Sequence, residues 1–267
     1  MTVITERRDG ITTVTINRPE TRNAVDPAMA RALYEVFLAF EADETQRVAI
    51  LTGADGYFCA GFDLKAAGSG ASDGWLAGLG LPENWSDPIS DPLPGPMGPT
   101  RLMLSKPVIA AIEGPAVAGG MELAAWCDLR VMAEGAVTGV FCRRWGVPLI
   151  DGGTVRLPGI LGQGRTNDLI LTGRPVETDE ALSLGFANRV CPKGAALASA
   201  TALARELTRF PQACMLADHL SARMPPETLA AALRREWQSA AAFVAEGRAG
   251  AARFAAGKGR GGDFSDI

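Results

Sequence analysis

The stretch KPVIAAIEGPAVAGGMELAAWCDLRV, residues 106–131, constrains the fold more than any other part of the chain. Its opening, PVIAAI, is a short apolar run of strand character. A Gly–Pro pair stops that run. Gly119 and Gly120 then start a second run in which Met121, Leu123, Ala124, Ala125 and Trp126 are apolar and Glu122 is the only charge. DLRVMAEG follows as another strand-like segment. Strand, glycine turn, buried helical segment and strand in such quick succession require helix layered on sheet. They also pose a chemical question, because a carboxylate in apolar surroundings is costly unless it is paired or used.

The pattern recurs along the chain. GITTVTINRP alternates and is rich in β-branched residues, which predicts a strand running to Pro19. DPAMARALYEVFLAFEAD has apolar residues at helical spacing, with Asp26 as N-cap and Pro27 at the first helical position. RVAILTG is a short apolar strand closed by Gly53. Residues 66–99 differ, being dense in Gly, Pro, Ser and Asp. A loop of that length in a compact domain is functional or mobile, so it reads either as a lid beside a site or as a surface insertion. From about residue 195 the signal is Ala-rich and helical. The expected organisation is a core over residues 1–194, then a helical subdomain with a loosely ordered tail over 195–267.

Bulk properties exclude several classes. The net charge of −4 offers no basic surplus for nucleic acid or an anionic membrane. The five cysteines are scattered without a CxxC pair, which fits a reduced, cytoplasmic protein better than a disulfide framework or zinc site. The N-terminal residues read as a strand, not a signal peptide. No apolar run approaches the roughly 18 residues of a membrane helix. His219 is the only histidine, so a His-centred triad or multi-histidine metal site is excluded.

Three glycine-rich places stand out: YFCAGFDLK at 57–65, EGPAVAGGMEL at 113–123, and WGVPLIDGGTVRLPGILG at 145–162. The first two follow strands directly. Small residues there let backbone approach a ligand, and a following helix can aim N–H groups at it. Two such turns converging would form an oxyanion hole. Neither turn carries GxGxxG or GxxxxGK[ST], so nucleotide sites find no support.

In order, RNAVD (22–26), LTGADGYFCAGFDL, KPVIAAIEGPAVAGGMELAAWCDLRV, GGTVRLPGILG and LILTGRPVETDEALSLGFANRV resemble the enoyl-CoA hydratase/isomerase family, the crotonase superfamily, over roughly residues 3 to 258. The resemblance implies an α/β fold, a spiral core of ββα turns followed by a helical region that packs trimers, which often stack as hexamers. It implies an acyl-CoA thioester substrate and no separate cofactor, coenzyme A being part of the substrate. It assigns the oxyanion amides to Phe62 and Gly119, and the coenzyme's binding surface to Ala24, Ala60, Asp63, Leu64 and Lys65. Arg22 and Lys65 are candidate phosphate partners or, equally, solvated surface charges. Phe254 and Lys258 fall where a C-terminal helix reaches coenzyme A in this family, from the same or a neighbouring subunit.

Glu122 is where both readings meet. Two amides on a thioester oxygen stabilise an enolate, and what is then missing is a group that moves a proton. Burial raises a carboxylate's pKa, while the first turn of a helix favours its charged form. Family hydratases hold the attacking water between two glutamates, and Glu122 matches the first. The second position, four residues before Gly146, is Cys142. A thiol with an ordinary pKa near 8.5 is a poor substitute for an acid. Asp151 is the nearest replacement, as a catalytic acid or as a helix N-cap. Cys142 and Trp145 are candidate pocket walls. The leading expectation is a lyase, an enoyl-CoA hydratase acting through Glu122 and Asp151. The alternatives are another enolate reaction on an acyl-CoA (isomerisation, thioester hydrolysis or decarboxylation) and a catalytically silent acyl-CoA-binding protein.

Overall fold

The computed structural model describes residues 1–258; the end of the expected tail, residues 259–267, lies outside them. The chain opens with β1 (Val3–Arg8) and β2 (Ile11–Ile16), an antiparallel hairpin. Asp9 and Gly10 both have positive φ, 55° and 77°, which matches the twist of a two-residue hairpin turn. The strand expected to reach Pro19 therefore ends at Ile16, and a second strand precedes it. In α1 (Pro27–Ala42) the Asp26 carboxylate caps the Met29 amide at 2.9 Å, and Met29, Ala30, Leu33, Phe37 and Phe40 form the buried stripe.

β3 (Val48–Gly53) leads through the first glycine turn into α2 (Leu64–Gly68) and α3 (Asp73–Ala77), both within or beside the long loop. β4 (Val108–Ile112), β5 (Ala116–Val117), α4 (Gly119–Trp126) and β6 (Leu129–Ala133) come from the constraining stretch. β7 (Val137–Gly139), α5 (Gly153–Leu161), α6 (Gln163–Thr172), β8 (Val176–Glu177), α7 (Thr178–Leu184) and β9 (Arg189–Cys191) complete the spiral. The main sheet has the order β1-β2-β3-β4-β6-β9, parallel from β2 onward. A second sheet, β5-β7-β8, stands beside it.

The central strands are apolar on both faces, and successive side chains explain why. Leu51, Ala110 and Ile112 face the core shared with α1 and α4, whereas Ile50, Ile109 and Ala111 face α8 (Ala196–Arg209). Ala196, Ala200, Leu203 and Ala204 of α8 fill that second face. Burying an Ile or Leu side chain contributes about 1.5–3 kcal/mol, so α8 belongs energetically to the sheet although it lies beyond residue 194. The helices that follow are α9 (Gln212–Ser221), α10 (Pro226–Trp237) and α11 (Ala240–Ala242). A π-helical turn, Phe243–Gly247, then leads into α12 (Arg248–Ala255). Among the described residues no helix is long and apolar enough to cross a membrane.

Candidate active site

Three segments lie side by side between the strand ends. Val25 N–H donates to Gly61 O at 2.8 Å and Asp63 N–H to Val25 O at 2.9 Å, which joins the RNAVD segment to the first glycine turn. On the other side Cys59 N–H donates to Pro115 O and Val117 N–H to Cys59 O, both at 3.0 Å, which joins that turn to β5. Asn23, fully buried, locks the arrangement by donating to Ala54 O and Tyr57 O. This ladder sets Gly61 against Gly119: a Cβ on Gly61 would stand 2.9 Å from the Gly119 nitrogen. A Cβ on Gly120 would fall 2.0 Å from Cys59 O, so α4 approaches as closely as it does only because that residue lacks one.

Phe62 N and Gly119 N are thereby brought to neighbouring positions, and neither donates to an acceptor among the described residues. Between β5 and α4, Ala118 adopts φ 54° and ψ −125°. Such a conformation costs a non-glycine residue about 1–3 kcal/mol and persists where surroundings impose it. Here Ala118 N–H donates to Gly139 O at 2.9 Å, and Ala118 O accepts from Met121 N at 2.9 Å and Glu122 N at 3.3 Å.

Glu122 lies one turn further along α4 and is 3% exposed. Its Oε1 accepts from Asp151 N and Gly153 N, each at 2.9 Å, and its Oε2 takes no hydrogen bond among the described residues. Burial, then the charges of Asp151 and Glu236, push its pKa well above the ordinary carboxylate range, against the two amides that favour the anion. Burial raises Asp151 to about 6, opposed by its hydrogen bonds and by Arg101.

Asp151 neither caps α5 nor offers both oxygens to a ligand. Its Oδ1 accepts from Met97 N at 2.9 Å and from the Thr100 hydroxyl. Both donors belong to the end of the long loop, at a tight turn where Gly95 and Gly98 exchange 2.8 and 2.9 Å hydrogen bonds. Met97 is fully buried, and a Cβ on Gly119 would be 2.9 Å from its sulfur. The loop is thus a cover packed against the α-carbon of Gly119. Trp75 Nε1 donates to Pro96 O, Trp85 Nε1 to Asp91 O and Arg101 to Pro94 O, which pins the cover in place. The amides of α5 are capped instead by distant side chains, Glu122 and Glu236.

The other expected residues divide. Ala24, Ala60 and Leu64 line the half-buried edge of the paired turns, and Arg22 and Lys65 are exposed beside it. Asp63 is turned inward: its carboxylate caps α2 through Lys65 N and Ala66 N and pairs with Arg18 at 2.7 Å, leaving it 6% exposed. Its carboxylate shapes the turn. Cys142 is buried, close enough to feel the Glu122 charge, and burial pushes its thiol up to about 12. Trp145 is buried edge-on against Phe254 of the chain's own α12, ring centres 5.3 Å apart. Asn23, Met97, Thr100 and Glu236 went unremarked in the sequence; only Asn23, inside RNAVD, sat in a motif. A separate cavity of about 330 Å³, bordered by Leu104, Trp126, Asp128, Arg156 and Arg223, includes none of Phe62, Gly119 or Glu122. No group of potential metal ligands comes together among the described residues.

A mostly parallel sheet, two glycine turns packed against each other and a buried acid one turn into the helix that follows the second make up the scaffold. The chain belongs to the enoyl-CoA hydratase/isomerase family, whose model matches residues 6–93 and 100–258. The break in that match coincides with the turn that carries Met97. Enoyl-CoA hydratase EchA19 of Mycobacterium tuberculosis is 38% identical over 208 residues, 75% of this chain and 72% of the relative. A carnitinyl-CoA dehydratase of Salmonella arizonae is 39% identical over 206 residues, 76% of this chain and 73% of the relative. Among solved structures, carnitinyl-CoA hydratase from Mycobacterium avium superposes with a TM-score of 0.81 at 28% identity, covering 96% of both chains.

Proposed function

We propose that the protein is an enoyl-CoA hydratase in which Glu122 alone moves the proton. The observation that carries this reading is the division of labour around Glu122. Its Oε1 is held by two amides while Oε2 takes no hydrogen bond among the described residues, one helical turn from Gly119, whose N–H, like that of Phe62, donates to none of them. In the proposed reaction the thioester oxygen accepts from those two amides. Oε2 of ionised Glu122 takes a proton from water as the water oxygen bonds to C3 and the C2–C3 π pair moves onto the enolate. The same Oε2–H then returns the proton to C2. One water is added, and the carboxylate is restored. A carboxylate whose pKa lies near the working pH suits both transfers. The amides would each contribute about 10²–10³ in rate.

Asp151, expected as the second water-holding acid, fits a different role in this reading. Its Oδ1 is engaged by Met97 N and the Thr100 hydroxyl, so it latches the cover and lends charge to Glu122. Cys142, neutral and buried, forms wall. Arg22 and Lys65, exposed beside the paired turns, are the proposed partners of the coenzyme's phosphates, and self-association as trimers through the C-terminal helices is part of the same reading. The test is incubation with crotonyl-CoA in deuterated water. Loss of the enoyl absorbance with one deuterium gained at C2 is expected, slowed by about 10²–10⁴ in Glu122→Gln. A second reading, double-bond isomerisation, is favoured by the single acid. A 3-enoyl-CoA converted to its 2-isomer without any hydration of crotonyl-CoA would replace the hydratase assignment.

A further inference from the structure

The four successive amides from Asp151 to Thr154, which lead into α5, are shared alternately between two buried carboxylates. Asp151 N and Gly153 N donate to Glu122 Oε1, both at 2.9 Å. Gly152 N donates to Glu236 Oε2 at 2.6 Å, and Thr154 N to Glu236 Oε1 at 2.9 Å, joined there by the Thr154 hydroxyl at 2.7 Å. Alternation needs the left-handed Gly152, φ 86°, which turns successive N–H groups to opposite sides; a Cβ there would also fall 1.8 Å from Arg156 Nη1.

Glu236 comes from α10, far along the chain, and is 6% exposed. Taking a carboxylate out of water costs several kcal/mol, and placing it near a second one adds repulsion. A Ser or Asp at residue 152 could not cap instead, because the left-handed backbone and the Arg156 guanidinium leave no room there for a Cβ. The cost is offset locally by cations: Arg156 donates to Asp151 O at 3.2 Å and Thr100 O at 2.7 Å, and Arg101 lies over Trp237 with its charge toward Asp151 and Glu236.

We propose that Glu236 is a positioning residue for Glu122: by holding the Gly152 and Thr154 amides it turns the Asp151 and Gly153 amides onto Oε1, which leaves Oε2 as the oxygen that exchanges protons. This rests on Glu122 being the group that moves the proton. The groups facing Glu122 are Asp151 and Arg156 from the α5 side, Cys142 from the turn after β7, and Glu236 from α10, with Arg101 behind Asp151. Removing Glu236 takes away a charge that raises the Glu122 pKa and loosens two amides that lower it; the charge outweighs either amide, so the pKa is expected to fall.

The test pairs kinetics with a direct titration. Glu236→Gln keeps the shape, but one amide oxygen cannot serve both Gly152 and Thr154. Carbon-13 carboxyl NMR of glutamate-labelled protein, with Glu122 assigned from its missing signal in Glu122→Gln, reads the titration without turnover. In Glu236→Gln the Glu122 titration and the matching limb of kcat/KM against pH should both move to lower pH. The kcat for crotonyl-CoA should fall about 10- to 10²-fold, the scale of a displaced catalytic group, with KM within about twofold. Glu236→Asp, which keeps the charge but draws it back, should retain the pH limb and lose kcat; it also serves if Glu236→Gln does not fold. An unmoved titration and limb, or full kcat in Glu236→Asp, would overturn the proposal. A wild-type protein that shows the titration shift on substitution but turns over no enoyl-CoA would overturn the hydratase reading and leave the coupling between the two acids standing.

Discussion

The N-termini of α4 and α5 meet at the site and are finished in opposite ways. At α4 the first amide, Gly119 N, has no acceptor among the described residues and follows a strained Ala118. At α5 every amide from Asp151 to Thr154 is taken by a carboxylate of the protein itself. A helix start carries a partial positive charge that some anion or oxygen must answer. The end left open is where a substrate oxygen is expected, and the end already filled is what holds the acid still. Glu122 belongs to both, since it grows from the first turn of the open helix and fills the start of the closed one.

Substitutions that disturb one end and spare the other separate the two roles. The largest effect is expected from Glu122→Gln. Its amide oxygen still accepts from Asp151 N and Gly153 N, so the closed end survives while proton transfer is lost. Turnover of crotonyl-CoA should fall by about 10²–10⁴, the usual weight of a positioned acid or base, with the thermal midpoint nearly unchanged. Gly120→Ala attacks the open end. Its methyl group meets Cys59 O at 2.0 Å and pushes α4 away, a strain of about 1–3 kcal/mol or more. Denaturant unfolding should show that loss, and activity should fall because Gly119 N swings off line.

Asp151→Asn acts on the closed end through pH. The raised pKa means that the folded protein holds this proton more tightly than the unfolded chain does. Its contribution to stability is therefore fullest below 3.8 and is lost as pH rises to about 6. Asn does not titrate, so wild type should lose stability relative to Asp151→Asn across that interval, with a level difference above it. Denaturant midpoints of both proteins from pH 4 to 7 read this directly. Cys142→Ala should do least. The thiol is neutral and buried, and hydration should stay within about a factor of 3 of wild type.

Much of the open end was legible in the chain. Strand, glycine pair and apolar helix follow from local spacing, and Asp26 and Pro27 announce α1 by capping chemistry that acts over three residues. The family resemblance placed Phe62 and Gly119. The closed end was not legible. Asp151 meets Met97 across 54 positions and Glu236 meets Gly152 across 84, and no local pattern encodes such contacts. Asp151 before a glycine pair reads as a cap, yet Gly152 turns left-handed and sends the carboxylate to the cover instead. The composition of residues 66–99 indicates only turns, although Trp75, Trp85 and Arg101 pin that segment firmly. The same limit applies to α8, whose amphipathic pattern shows a buried face and not the sheet it covers.

The central claim is that the open amides of Phe62 and Gly119 receive the thioester oxygen while Glu122 Oε2 stands beside C2 and C3. A crystal structure with a bound 3-hydroxyacyl-CoA measures it directly. The account predicts both nitrogens about 2.7–3.1 Å from the thioester oxygen and Oε2 within hydrogen-bond reach of the 3-hydroxyl. An acyl oxygen bound to neither amide, or a Glu122 that touches only the α5 amides, would contradict it.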